Sequence, residues 1–161
     1  HQGNFDIPIY LTSIPNLIGF ISKIEVQKIP LVTGWMNALH CVFMDRSNVR
    51  KSGEAIIKGI RNLKAGFSIV IFPEGTRSKG DKMAEFKAGS FKLATKAKCP
   101  IVPITMNGSY KIMEHGNGPW IKKATVDFYI HKIVETDGLS KEELEELPAK
   151  VQSIVASKLP Q

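Results

Sequence analysis

The sequence predicts a single α/β layered domain with a mixed, mostly parallel sheet flanked by helices. Three observations predict it. Short apolar runs of β type alternate with longer stretches of helical periodicity. The chain is punctuated by 13 Gly and 9 Pro, so it turns often between those runs. Its 161 residues, 43% hydrophobic and 23% charged, suffice for one buried core and exclude disordered, collagen-like and coiled-coil chains. One domain over 1–161 is expected, with no internal repeat. It is expected to be truncated at its N-terminus, because it opens on His1 rather than Met.

The elements follow in order. Ile7 to Ile21 is apolar and reads as a short helix from about Tyr10. Ile24 to Ile29 reads as a short strand, broken by Pro30, and Leu31 to Leu39 as another short helix. Cys41 to Met44 is a strand-like run ended by Asp45 and Arg46. Ser47 is a plausible N-cap for a helix through Lys64, whose apolar Ala55, Ile56, Ile60 and Leu63 share one face; Gly66 stops it. Phe67 to Phe72 is a buried strand running into the loop P-E-G-T-R-S-K-G-D. A helix over about Ala88 to Lys98 and a strand over Ile101 to Met106 come next. Val126, Phe128 and Ile130 alternate with polar neighbours in a two-faced strand. Ser140 and Glu143 form a capping box for a last helix, which Pro148 should kink or restart.

Charge narrows the partners. The chain carries 22 Lys and Arg against 15 Asp and Glu, a net charge of +7. That excess favours nucleic acid, phosphorylated small molecules or an acidic lipid surface. No nucleic-acid recognition signature or aromatic-basic interleaving accompanies it, so no nucleic-acid partner is expected. The longest uncharged stretch, Ile7 to Ser22, is 16 residues with two prolines inside, too short for the ~20 a membrane span needs. The two cysteines, Cys41 and Cys99, supply no disulfide framework and no metal-ligand spacing.

Four segments carry chemistry. His1 and Asp6 stand five positions apart in H-Q-G-N-F-D. A carboxylate at that distance can hold one imidazole nitrogen and leave the other to take a proton from a hydroxyl. Alternatively Asp6 only caps the following helix. F-P-E-G-T-R-S, Phe72 to Ser78, follows a strand at its carboxyl end, where open α/β sheets place ligands. There Gly75 permits close backbone approach, Arg77 presents a planar fork of donors suited to phosphate, and Thr76 and Ser78 add hydroxyls. The alternative is a solvated turn with a Glu74–Arg77 ion pair. V-F-M-D-R puts Arg46 just after another strand, where it can share a pocket with Arg77 or lie on an exposed basic loop. V-P-I at Val102 to Ile104 is a strand with a proline inside it. His40, His115 and His131 read as structural or solvated.

Together these four segments, in this order and rough spacing, resemble the glycerolipid acyltransferase family, the lysophosphatidate (1-acylglycerol-3-phosphate) acyltransferases. F-P-E-G-T-R-S matches that family's third motif residue for residue, and I-P-L-V-T-G-W resembles its lead-in with one extra residue. The chain departs from the family in two places. It starts at the motif His, without the Asn that precedes it, and has Gly3 where the family usually has Ser.

The resemblance implies acyl transfer from a thioester, acyl-CoA or acyl carrier protein, to the free hydroxyl of lysophosphatidate, giving phosphatidate. It implies His1 as general base and Asp6 as its orienting partner. Lys23, Arg46 and Arg77 would bind the acceptor phosphate, with Gly75 and Thr76 in the same loop, and Glu74 would orient the glycerol or the arginines. No metal and no organic cofactor are implied. Glycerol 3-phosphate or another lysophospholipid is an alternative acceptor, and a non-catalytic phospholipid-binding module an alternative class. Amphiphilic substrates imply membrane association at the cytoplasmic face. The Ile7 to Phe20 stretch is expected either to dock on an anionic leaflet or to be buried.

Overall fold

The computed structural model describes residues 1–45, 47–114 and 120–160. At its centre is a parallel three-stranded sheet in the order β2-β1-β3, with β1 (Ile18–Lys23) between β2 (Val42–Met44) and β3 (Ser68–Val70). Ile21 pairs with Val42 on one side, and Phe20 with Val70 on the other. β4 (Ile104–Asn107) and β5 (Asp127–Ile130) form a separate antiparallel pair. The mixed, mostly parallel strand set expected from the sequence is thus divided between a parallel sheet and an antiparallel pair. An apolar cavity lies between β3 and β4, where a continuous sheet would have closed.

Local chemistry explains where the elements differ from expectation. The Ile7–Ile21 run splits. Asp6–Ser13 forms α1, the chain turns at Pro15 and Asn16, and Ile18 begins β1. β1 is buried at its start because it is the central strand, flanked on both edges, so Ile18 and Phe20 belong to the core. Their burial removes both from any docking surface. Gly19 is required there: a Cβ would stand 2.7 Å from the Leu39 carbonyl oxygen, which passes over the strand. Ile24–Lys28 is a 3-10 turn, not a strand, and α2 (Val32–Ala38) follows it.

α3 (Val49–Lys64) is capped by Asn48, whose side chain accepts from the Lys51 N–H at 3.1 Å. Ser47 is one residue too early to cap it; its hydroxyl donates to Asp45 at 2.6 Å instead. A 3-10 turn, Ala88–Phe91, leads into α4 (Lys92–Ala97), and the four-residue α5 (Tyr110–Met113) follows β4. α6 (Lys141–Ala156) opens on the complete Ser140/Glu143 capping box. It runs through Pro148 without interruption. One missing donor does not end it, because Leu147 and Val151 on either side are buried in a common core.

Two apolar clusters hold the layers. The first joins Tyr10, Ile18, Phe20, Met36, Leu39 and Cys41 around β1. The second joins Phe86, Phe91, Val134, Leu147 and Val151 beneath α6. No helix among the described residues is long and apolar enough to cross a membrane.

Candidate active site

The loop before α1 folds around one carboxylate. Asp6, 1% exposed, takes the first position of α1, so its side chain points back over the residues that precede it. Its Oδ2 meets His1 Nδ1 at 2.6 Å and accepts the Gln2 N–H at 2.7 Å. Its Oδ1 accepts the Gly3 N–H at 3.2 Å and the Ser109 hydroxyl at 2.5 Å. Asp6 binds His1 and the loop before the helix; it does not cap α1, whose N-cap is Phe5 with no side-chain cap bond. A carboxylate with four hydrogen-bond partners is held in place, which sets the imidazole's tautomer and orientation. The ring stacks on Phe72 with centroids 3.9 Å apart. Nδ1 is thus committed, and Nε2 is the nitrogen left for a substrate.

The F-P-E-G-T-R-S loop completes the frame. The Ser78 and Lys79 N–H groups donate to the His1 and Gln2 carbonyls at 2.8 and 3.1 Å. Glu74 is buried; one oxygen binds the backbone nitrogen of His1, the other accepts the Ala84 N–H at 2.8 Å. Both oxygens engage main-chain nitrogens, which makes Glu74 a brace between loops. The Glu74–Arg77 pair considered from the sequence does not form. Arg77 instead donates to the Asn4 side-chain oxygen and stands 3.9 Å from Glu114. Gly75 turns with φ +74° and donates to the Phe72 carbonyl at 3.0 Å; Thr76 is exposed.

The remaining expected phosphate ligands are less closely tied to this frame. Lys23 is exposed at the carboxyl end of β1, with no contact to the loop recorded among the described residues. Arg46 lies outside the described residues, as does His115. Among the described residues no cluster of three His, Cys, Asp or Glu is arranged for a metal. Neither cysteine is poised as a nucleophile, since burial pushes both the Cys41 and Cys99 thiols up from their ordinary pKa. Burial, with Asp6 nearby, likewise raises the Tyr10 phenol, which stays protonated. His131 bonds the buried Thr105 hydroxyl at 2.7 Å, a structural role.

Beside His1 opens a cavity of about 580 Å³. Ile69, Phe72, Phe91, Ile101 and Val155 are among its walls. It is apolar along most of its length and ends at the His1–Asp6 pair, a shape suited to a flexible hydrocarbon chain with its reacting end at the imidazole.

Three positions here went unread in the sequence. Gln2 is buried and its side-chain oxygen accepts the Gly108 and Ser109 N–H groups at 2.8 and 3.2 Å. Ser109 clamps Asp6 from 103 residues away, a separation no local pattern reveals. The N-G-S turn after a strand was the only available hint. Glu114, just after α5, accepts the Asn4 N–H at 2.6 Å, while its Oε2 is buried with no hydrogen-bond partner among the described residues. That oxygen fills the space over Gly3: a Cβ added at Gly3 would stand 2.4 Å from it. Glycine at this position and Glu114 are complementary.

The comparisons identify the family and the fold. An acyltransferase family model matches residues 1–107, and the chain belongs to that family. Its relatives carry narrower names. It is 37% identical over 133 residues to a chloroplastic 1-acyl-sn-glycerol-3-phosphate acyltransferase of Brassica napus, covering 82% of this chain and 38% of that protein. It is 30% identical over 157 residues to the 1-acyl-sn-glycerol-3-phosphate acyltransferase of Borreliella burgdorferi, covering 94% of this chain and 59% of that one. The fold matches the crystal structure of the 1-acyl-sn-glycerophosphate (LPA) acyltransferase PlsC of Thermotoga maritima with a TM-score of 0.82 and 34% identity, over 98% of this chain and 61% of that chain. The chain thus spans 38% to 61% of the length of these relatives.

Proposed function

We propose that this domain transfers a fatty acyl group from a thioester, acyl-CoA or acyl carrier protein, to the free hydroxyl of lysophosphatidate, giving phosphatidate. The observation that carries the reading is the Asp6 carboxylate, pinned by Ser109 and two backbone N–H groups, which holds His1 Nδ1 at the mouth of an apolar cavity. His1 Nε2 takes the proton as the acceptor oxygen attacks the thioester carbonyl. The new C–O bond forms, the C–S bond breaks, and the thiolate leaves with that proton. Asp6 stabilises the imidazolium in between. No acyl-enzyme is needed, in keeping with the raised pKa of the buried Cys41 and half-buried Cys99 thiols. General-base help supplies ~10²–10⁴-fold, and alignment of two bound substrates adds to it.

Arg77, with Lys23 and Arg46, receives the acceptor's phosphate, while the Gly75–Thr76 backbone shapes the loop around it. The reading requires no metal and no organic cofactor. Two free cysteines suit the reducing, cytoplasmic face of a membrane, from which an amphiphilic acceptor would be drawn.

Arg77→Ala tests the assignment. Losing a charge-assisted bidentate contact should cost about 10²-fold in kcat/KM for lysophosphatidate. A monoacylglycerol, lacking the phosphate, should be nearly unaffected. Arg77→Lys should restore only part of the preference, since a point charge does not reproduce the fork. Equal losses on both acceptors would make Arg77 a loop-holding residue instead.

A further inference from the structure

The turn between the 3-10 segment and α2 presents apolar side chains outward on a backbone built to keep them there. Ile29 is 50% exposed, Leu31 92% and Trp35 51%. Leu31 holds φ at +67°, in the left-handed region that a branched side chain rarely adopts. The turn is rigid despite that. The Thr33 hydroxyl lies within hydrogen-bond distance of the Gln27 and Ile29 carbonyls, at 2.8 and 3.0 Å, and the Val32 N–H donates to the Pro30 carbonyl at 2.8 Å. Val26 and Val32 pack inward on the first core, and Met36 is buried in it. The inward residues fix the turn, so the outward ones are not a fraying segment. Strain held in place by its surroundings commonly marks a functional position.

Position and charge identify what covers it. The 3-10 segment leaves β1 at the carboxyl edge of the parallel sheet, the edge at which β3 delivers the Phe72–Arg77 loop, and the turn comes at the end of that segment. Lys23 and Lys28 precede it, both exposed, with the exposed Glu25 between them, on a chain of net charge +7. A leucine tip, an interfacial tryptophan and lysines around them match the chemistry of an anionic bilayer surface, with apolar groups entering the acyl boundary and ammonium groups at the phosphates. We propose that the Ile29–Leu31–Trp35 turn is a membrane-docking wedge that sets the active edge of the sheet against an anionic leaflet. This rests on the acyltransferase reading in so far as it explains why that edge should face lipid.

The test is binding to vesicles of phosphatidylcholine alone and of phosphatidylcholine mixed with phosphatidylglycerol. Leu31→Asp should weaken binding about tenfold or more, the order expected from losing one buried leucine side chain. Leu31→Gly should weaken it similarly while leaving the melting temperature unchanged or higher, because glycine accepts the positive φ. That variant separates lost docking from lost folding. Lys28→Ala should cost about fivefold on the anionic vesicles only. Leu144→Asp, at an exposed leucine on α6, should bind as the parent does.

Tryptophan depth gives an independent measure. With Trp120→Phe, the fluorescence of Trp35 should be quenched by bromine-labelled lipid. Quenching that is found only in Trp35→Phe, where Trp120 remains, would overturn the proposal. So would equal losses from Leu31→Asp and Leu144→Asp. With a water-soluble short-chain lysophosphatidate, the Leu31 variants should keep the parent rate. A protein that docks through Leu31 but acylates no acceptor would leave this inference standing and remove the acyltransferase reading.

Discussion

His1 offers Asp6 one nitrogen and keeps the other, and the difference between the two sets the order of effects expected from substitution. His1→Ala should remove ~10²–10⁴-fold of turnover while the far-ultraviolet spectrum stays native. Asp6→Asn should cost less than His1→Ala, because the base survives with its tautomer no longer held. Near-parental turnover in both variants would end the mechanism. Gly3 and Glu114 make a second test at this scale. Gly3→Ser forces a Cβ into the Glu114 carboxylate and should lower both stability and rate. Gly3→Ser with Glu114→Ala should recover part of that loss, with a coupling of about 0.5–3 kcal/mol in a double-mutant cycle. Independent, additive losses would show that the two residues are not complementary. The His1–Asp6 spacing and the Arg77 loop were legible in the sequence because each is local. Gln2, Ser109 and Glu114 were not, because each acts across more than 100 positions.

At the scale of elements, the sequence was most legible where a signal sits within one turn of chain. The α3 periodicity, the α2 helix, the β2 run and the Ser140/Glu143 box all lie where local chemistry put them, the α3 cap falling one residue beyond the expected Ser47. Ser140→Ala should lower stability by about 1 kcal/mol, read as a fall of ~2–4 °C in Tm. An unchanged Tm would mean that α6 is held by its packing on the second core alone. The misread elements share another cause. Ile24–Ile29 has a strand's composition, but the strand has already been spent on Ile18–Lys23, and the chain must turn before α2. Pro148 lost its power to break a helix because the residues beside it are anchored. In both places tertiary packing overrode a local preference.

For the whole molecule, the separation of the two sheets matters most. Pairing between strands would have been legible had the sheet been continuous; the gap between β3 and β4 depends on side chains from α4, α6 and the Phe86 loop that no single segment announces. That gap is the apolar cavity, so its depth should select the acyl group. Ala94→Phe, at a buried wall position, should shift preference toward shorter acyl donors, with the rate on the shortest donors largely kept. A uniform drop across all chain lengths would point to damage in the core rather than to a filled cavity.

The stitching of the first loop also has a consequence in time. Gln2 needs the N–H of Ser109, 107 residues later, and Asp6 needs that residue's hydroxyl. On a ribosome adding ~5–20 residues per second, the His1 loop emerges roughly 5–20 s before its clamp exists. The strand that presents Ser109 is itself paired only when β5 arrives. A nascent chain released early would carry the His–Asp pair in its sequence and no working base. Chains ending before Lys141 hold the clamp but lack α6, a wall of the cavity, so acyl transfer should appear only in chains that extend through Ala156, and activity reports completion of the fold.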